Sequence, residues 1–500
     1  MDPPPRSAVP QQLGPAEPAY DAASLARAAG GILLRAGRHP IRGAAVDSRR
    51  VEPGQAFVAL PGERTDGQGF LDQAVAAGGA ALIVREAPPT AVLDALTRDG
   101  AVTVVQVADG LAALQAMAAD WRARFAPLVV GITGSLGKTT TKEATAAVLR
   151  TARRTLASPG NENNEVGLPL TILRLRPEHE AAVLEMGMYV EGEIAQLAAL
   201  ARPRIGVVTA VRGVHLARAG SLAAIEREKG RLVEALPAEG TAVLNTDDPR
   251  VSRMAGRTRA RVVRYGFDPT ADVGAERVVA AGAEGMRFVL RAAGRRRPLA
   301  VPALGRPAVE AALAAAAVGL AAGLDPEAVA AGLEGGWGAA HRAELLRGGP
   351  WLIVDDTYNA APDSAAAALD LLASLPGRHV AVLGDMLELG PAEAREHRRL
   401  GRRAAEAADL LVAVGPAMAG AAQAARRAGL AAAAVYEVPD AEAAAALVEP
   451  LLRPGDAILV KGSRALALER IVERLRAAGP GAATDQGAGS AASAGEEAGR

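Results

Sequence analysis

Cysteine is absent from the 500 residues, which excludes a disulfide scaffold, a thiolate nucleophile and a zinc–cysteine site. No apolar run approaches the roughly 20 residues that a membrane-crossing helix needs. Neither sign of charge is in excess: 56 Lys and Arg balance 56 Asp and Glu. No nucleic acid and no membrane surface is therefore implied as a partner. The opening residues, MDPPPRSAVPQQLGPAEP, lack the basic-then-apolar plan of a signal peptide. A cytoplasmic, monomeric protein is expected, and its length calls for two to four domains rather than one core.

Two scarcities carry chemistry. Only four lysines occur, Lys138, Lys142, Lys229 and Lys461, although Lys and Arg together number 56. Compositional drift has replaced lysine by arginine wherever any cation would serve. A lysine that survives is a candidate for work that guanidinium cannot do, because an amine is compact and can lose its proton. Chance survival is allowed for one of the four, and Lys142, placed on the exposed side of its helix, is the natural choice. Asparagine is almost as rare. Three of the five fall within four positions, Asn161, Asn163 and Asn164, and Asn245 and Asn359 are the others. Three amides in GNENNEVG suggest polar recognition beyond a turn.

The chain is organised around residues 128–149. Leu128, Val129, Val130 and Ile132 form a short apolar run that reads as a buried strand. Thr133-Gly134-Ser135-Leu136-Gly137 is a turn, and a helix starts at Lys138. Strand, glycine turn, Lys-Thr and helix make a phosphate cradle. Backbone N–H groups converge on an anion where glycines permit it, and the helix N-terminus adds its positive end. Lys138 would meet the terminal phosphates, and the Thr139 hydroxyl suits Mg²⁺. Ile132 occupies the place of the first glycine of the strict pattern, so the loop is the variant Thr-Gly-x-x-Gly-Lys-Thr-Thr, with Thr140 as its last member.

Around this loop the pattern alternates short apolar runs with Ala-rich helical stretches, the signature of an α/β chain with parallel sheets. Residues 1–20 and 479–500 are Pro-rich or low-complexity and read as disordered tails. A small α/β domain is expected over 21–108, a central domain over 109–336 and a third α/β domain over 337–478, with a hinge at Gly335-Gly336-Trp337-Gly338.

Further candidates sit at predicted strand ends, where such sheets bind ligands. Ser48 and Arg49 suit an anionic or nucleotide ligand, or equally a hydrogen-bonded turn. Glu185 and His215 offer a carboxylate and an imidazole to Mg²⁺ or Mn²⁺; His215 alone reads as a loop histidine. Lys229, in Glu226-Arg227-Glu228-Lys229, has two readings. One is a solvated face paired to Glu226. The other is a neutral amine that reacts with CO₂ to form a carbamate, an oxygen ligand for a second Mg²⁺. Arg342 and Glu344 lie at the hinge. Asp355-Asp356-Thr357-Tyr358-Asn359 and Lys461-Gly462-Ser463-Arg464 follow strands and suit closure over ATP.

Together these stretches resemble the Mur ligase family, ATP-dependent amide-forming enzymes of peptidoglycan precursor synthesis. The resemblance spans residues 21–478 and rests on ITGSLGKTTTKE, GNENNEVGLPLTIL, LEMGMYVEGEI, VHLARAGS with EREKGRL, LNTDDPRV, DDTYNAAPDS, VLGDMLELG and ILVKGSR. It implies three domains: a UDP-substrate domain, a phosphate-loop ATPase domain and a Rossmann-like domain. It also implies roles. Gly134, Ser135, Gly137, Lys138, Thr139 and Thr140 would hold ATP, joined by Arg342, Asp356 and Asn359. Glu185, His215 and a carbamoylated Lys229 would join Thr139 in holding two Mg²⁺. Lys138, Lys229, His215 and Arg342 would carry catalysis. Ser48, Arg49, Asn163, Asn164, Asp385 and Lys461 would contact substrates. The family's His-Asn-x-x-Asn adenine contact is missing, since Pro307, Ala308 and Ala311 stand there, and Leu136 and Gln68 also depart from the usual pattern.

The reaction implied by the Thr-Tyr-Asn-Ala-x-Pro-Asp-Ser and Gly-Asp-Met-x-Glu-Leu-Gly runs is the joining of D-alanyl-D-alanine to UDP-N-acetylmuramoyl-tripeptide through an acyl phosphate. Two alternatives stand beside it: a ligase of the family that adds a different amino acid, and a phosphate-loop ATPase without ligation.

Overall fold

The computed structural model describes residues 18–62, 65–213 and 221–477. The chain divides into two compact units. One takes the described residues up to Pro127 together with Glu162–Ala182; the other takes Leu128–Asn161 and the described residues from Val183 onward. Among the described residues, no helix is long and apolar enough to cross a membrane.

The first unit holds a five-stranded sheet in the order Ile32–Arg35, Thr103–Gln106, Ala81–Val84, Ala56–Val58, Ala44–Ala45. Only the first pair is antiparallel. Ala81–Val84 is buried at every position, as expected for a parallel strand covered on both faces. The helix Gly110–Ala123 starts at Asp109, whose carboxylate accepts from the N–H groups of Leu111 (2.8 Å) and Ala112 (3.0 Å), an N-cap that satisfies orphan donors. On the same helix the buried indole of Trp121 donates to the Leu175 carbonyl at 3.1 Å. That bond ties the 162–182 segment into this unit.

The second unit holds two sheets. The larger has nine strands in the order Arg295–Val301, Met286–Ala292, Val273–Ala280, Arg261–Gly266, Thr241–Asn245, Ile205–Val208, Leu128–Thr133, Ala181–Glu185, Thr155–Ala157. Leu128–Thr133 pairs in parallel with Ile205–Val208, which pairs in parallel with Thr241–Asn245. The far edge is an antiparallel meander turned at Ala293 and Gly294, both at positive φ (50° and 73°), the backbone of a type I′ hairpin turn. The smaller sheet has six strands, Glu344–Gly348, Trp351–Asp356, Ala457–Lys461, His379–Gly384, Leu410–Val414 and Val435–Val438. All its pairings are parallel except the first.

The Ala-rich helix Arg306–Ala321 and the following Pro326–Glu334 pack flush on Lys138–Arg150, the helix that leaves the phosphate loop. Glycine makes that approach possible. A Cβ on Gly332 would lie 2.6 Å from Val148 Cα, and one on Gly319 would lie 2.7 Å from Val148 Cγ1.

Candidate functional site

The phosphate loop leaves the sheet between two strand ends, that of Ile205–Val208 on one side and that of Ala181–Glu185 on the other. Gly134 (φ 155°) and Gly137 (φ 79°) supply the backbone angles that the turn requires. The loop is laced to both neighbours. Ser135 N–H donates to the Ala210 carbonyl (2.7 Å), and the Ser135 hydroxyl accepts from Arg212 N–H (2.9 Å). The Thr209 hydroxyl donates to the Leu136 carbonyl (2.5 Å), and the Thr133 hydroxyl donates to the Met186 carbonyl (2.8 Å). Thr139 is buried at the helix start, and Thr140 is half-buried beside it.

Lys138 is coupled to three other charged side chains over this loop, Glu185, Arg342 and Lys229. Lys138 Nζ donates to the Gly134 carbonyl at 3.0 Å. Desolvation lowers its pKa; the Glu185 carboxylate opposes that shift and the Arg342 guanidinium adds to it. Lys229 is 3 % exposed. Desolvation pushes its pKa well below the usual lysine value, and the neighbouring Lys138 charge pushes it further, against the pull of Glu228. The reading of Lys229 as a solvated surface residue is therefore corrected. Ile225, Glu228, Lys229 and Leu232 occupy the buried face of the helix Leu222–Glu234, and Glu226 pairs instead with Arg253 (3.2 Å) and Arg250 (3.5 Å).

Glu185 ends its strand fully buried. Its carboxylate and the buried Thr139 hydroxyl are hard oxygen donors, a donor type that fits magnesium. His215 lies outside the described residues.

Arg342 enters from the segment before the six-stranded sheet. Its neighbours His341 (φ 63°) and Ala343 (φ 50°) both adopt left-handed backbone, a conformation costing on the order of 1 kcal/mol at each non-glycine residue. The surroundings hold it. Tyr358 N–H donates to the His341 carbonyl (3.1 Å), His341 Nδ1 bonds Asp355 Oδ2 (2.8 Å), and Ala343 N–H donates to Asp356 Oδ1 (3.2 Å). The Arg342 guanidinium carbon sits 4.0 Å from the centre of the Tyr358 ring. Burial raises the Tyr358 pKa; Arg342 pulls it down, while Glu185 and Tyr189 push it up. Loop, buried amine, carboxylate, arginine and tyrosine thus form one electrostatic cluster.

Lys461 is 2 % exposed, and its amine donates to Asp356 Oδ2 (2.6 Å) and to the Asn359 carbonyl (2.8 Å). It fixes the segment that carries Asp356 and Asn359. Asp385, also buried, accepts from Met418 N–H at 2.8 Å. In the first unit, the buried Ser48 donates to Gln73 Oε1 (3.1 Å). Asp47 accepts from the side chain (2.9 Å) and N–H (3.0 Å) of Arg49. The Arg49 hydrogen bond holds the Asp47 carboxyl down to about 2. Asn164 Oδ1 accepts from Gly167 N–H (2.8 Å) and shapes the turn before the helix Gly167–Ile172; Asn163 is half-buried beside it.

Lys142 is also a correction: it is 0 % exposed rather than on an exposed helix side. Its amine donates to the carbonyls of Ser158 (2.6 Å) and Gly160 (3.2 Å) and pairs with Glu143 Oε1 (2.9 Å). Sequence reasoning also missed Arg212, which bonds Asp248 and reaches Asp363 Oδ2 at 3.5 Å; nothing in the local pattern distinguishes it from other arginines. Where the family's adenine motif is missing, Arg306 lies over the Phe267 ring at 3.6 Å.

A glycine loop of phosphate-binding pattern at the strand ends of a mixed α/β sheet, with a buried amine and carboxylate coupled to its lysine, defines a nucleotide-binding α/β protein of the phosphoryl-transfer class. Family comparison is specific. The Mur ligase middle domain matches residues 132–319, the Mur ligase glutamate ligase domain 341–464, and the Mur ligase family catalytic domain 40–122. UDP-N-acetylmuramoyl-tripeptide–D-alanyl-D-alanine ligase of Mycobacterium tuberculosis is 39 % identical, the match covering 86 % of this chain and 91 % of that one. The Escherichia coli enzyme of that name is 34 % identical over 86 % and 92 %. Among solved structures, MurF from Acinetobacter baumannii superposes with a TM-score of 0.81 at 31 % identity, covering 92 % of this chain and 99 % of that one. MurF ligase from Thermotoga maritima in complex with ADP gives 0.74 at 27 %, covering 87 % and 97 %. The chain belongs to the Mur ligase family, and its α/β architecture is the three-domain one of those ligases.

Proposed function

We propose that the protein uses ATP to join D-alanyl-D-alanine to UDP-N-acetylmuramoyl-tripeptide, the activity named for its relatives. The observation that supports it most is the convergence of Lys138, Glu185, Lys229 and Arg342 on one phosphate loop. The tripeptide's terminal carboxylate attacks the γ-phosphorus of ATP, forming an acyl phosphate and releasing ADP. The D-alanyl-D-alanine amine then attacks the acyl carbon, and the tetrahedral intermediate expels phosphate to leave an amide, the amine's proton passing to solvent or a base. The Gly134–Gly137 backbone and Lys138 hold the phosphates, and Arg342 meets the transferring phosphoryl charge. Thr139, Glu185, His215 and a carbamoylated Lys229 are the residues proposed to hold Mg²⁺, which when bound neutralises phosphate charge. Domains over 21–108, 109–336 and 337–478 would take the UDP substrate, the ATP and the incoming amine respectively. Ser48, Arg49, Asn163 and Asn164 are the proposed contacts of the UDP substrate, and Asp385 those of the amine; Asp356 and Asn359, held by Lys461, complete the nucleotide side.

Phosphate release assayed against a panel of amines and UDP-linked acceptors tests the reading. Release is expected to depend on both D-alanyl-D-alanine and the UDP-tripeptide. Preference for another amino acid would assign the chain to another branch of the family, and release without any amine would make it an ATPase.

A further inference from the structure

We propose that Lys142 is a positioning residue for the Glu185 carboxylate, acting through Ser158. This rests on the reading of Glu185 as a group of the nucleotide and magnesium site. Lys142 lies one helical turn beyond Lys138, on the helix that the phosphate loop opens. Its ammonium has three N–H donors and three acceptors: the carbonyls of Ser158 and Gly160 and the Glu143 carboxylate.

The bonded turn reaches Glu185 by two further hydrogen bonds. Ser158 N–H donates to the Val183 carbonyl at 3.0 Å, and Glu185 N–H donates to Ser158 Oγ at 3.1 Å. Ser158 is itself 1 % exposed. The Thr155–Ala157 strand that leads to it is an outer strand of the sheet, beside Ala181–Glu185. An outer strand is braced by one neighbour only, so its end is placed by whatever else grips it. Lys142 is that grip. It joins the helix carrying Lys138 to the strand end beside Glu185, so the cation and the carboxylate of the site keep one separation.

The geometry also explains why this residue is a lysine in a chain that otherwise favours arginine. A tetrahedral ammonium saturates three acceptors converging on one point, whereas a planar guanidinium is larger and directs its donors outward in a fork. At 0 % exposure the larger group would have to displace packed neighbours.

ADP binding, measured by calorimetry with and without Mg²⁺, tests the proposal in full-length wild type, Lys142→Met, Ser158→Ala and the double variant. In Lys142→Met the gain in ADP affinity conferred by Mg²⁺ is expected to fall about tenfold, as when a group supporting a metal ligand is removed. ADP affinity without Mg²⁺ should change by less than about twofold, because the loop amides and Lys138 are untouched. Ser158→Ala should move the same ratio in the same direction, and the double variant should be no worse than Lys142→Met, since both act in one chain of bonds. A lower unfolding temperature with the wild-type Mg²⁺ gain in both single variants overturns the proposal and leaves Lys142 a strut of the core, as do fully additive effects. If Lys142→Met does not fold, Ser158→Ala decides. A wild type whose ADP binding ignores Mg²⁺ overturns the nucleotide reading itself, a failure distinct from that of the variants.

Discussion

The sharpest prediction concerns Lys229. Its amine is buried, and desolvation together with the Lys138 charge favours the neutral form. A neutral amine takes up CO₂ with loss of a proton and becomes an anionic carbamate. In Lys229→Arg the group at this place is a permanent cation that cannot react. Relative to the carbamate this is a change of two unit charges. At an effective dielectric constant near 20, and taking ~6 Å as the range over which neighbouring charges shift one another, each unit charge facing Lys138 is worth roughly 3 kcal/mol. The swing is then about 6 kcal/mol, a loss of ~10⁴-fold in kcat. Phosphate release in the presence of both substrates measures it. Lys229→Ala leaves a small cavity, and acetate or propionate should restore activity saturably by about one to two orders of magnitude, since a free carboxylate supplies the missing oxygens. With ¹³C-labelled bicarbonate, wild type should show a carbamate resonance that Lys229→Arg lacks. Because the neutral amine is the reactive form, its occupancy should rise with pH until the amine is fully deprotonated. An arginine variant turning over near the wild-type rate would refute the reasoning.

Three further outcomes are expected. Gly134→Ala places a methyl directly against Thr209 Oγ1 at a φ of 155°; the strain of roughly 2–3 kcal/mol should weaken ADP binding about 100-fold, read by calorimetry. Arg342→Met removes the guanidinium over Tyr358 and should lower kcat about 100-fold while leaving binding of the UDP substrate unchanged, a split that steady-state kinetics resolves. Lys461→Met breaks a buried pair with Asp356 and should cost roughly 3 kcal/mol of stability, seen as a lower thermal midpoint of the second unit.

The parallel strands were legible because their apolar runs are short and continuous. Ala81–Val84, Ile205–Val208 and Leu410–Val414 are runs of this kind, buried at every position. The meander over 273–301 was not. Its strands are half-exposed, Arg287 alternating with buried Met286 and Phe288, and its arginines mask the period. Ala293-Gly294 between two alternating runs was the available turn signal. The lysine census singled out Lys229, which is buried, but set aside Lys142, which is buried as well. Spacing alone could have kept it: Lys142 shares a helix face with Thr145, Ala146 and Leu149, all buried. Lys229 likewise falls between Ile225 and Leu232 at i+4 and i+7. What no spacing reveals is the left-handed backbone at His341 and Ala343, because neither residue type advertises it.

The glycines facing Val148 have a mechanical meaning. Helices separated by side chains can slide as rotamers change, but backbones that touch cannot. The helix behind Lys138 meets its neighbour backbone to backbone where Gly332 faces Val148, a contact that leaves little room to slide. In a chain so rich in alanine, that stiffness comes from what has been left out of the interface rather than from any added bond.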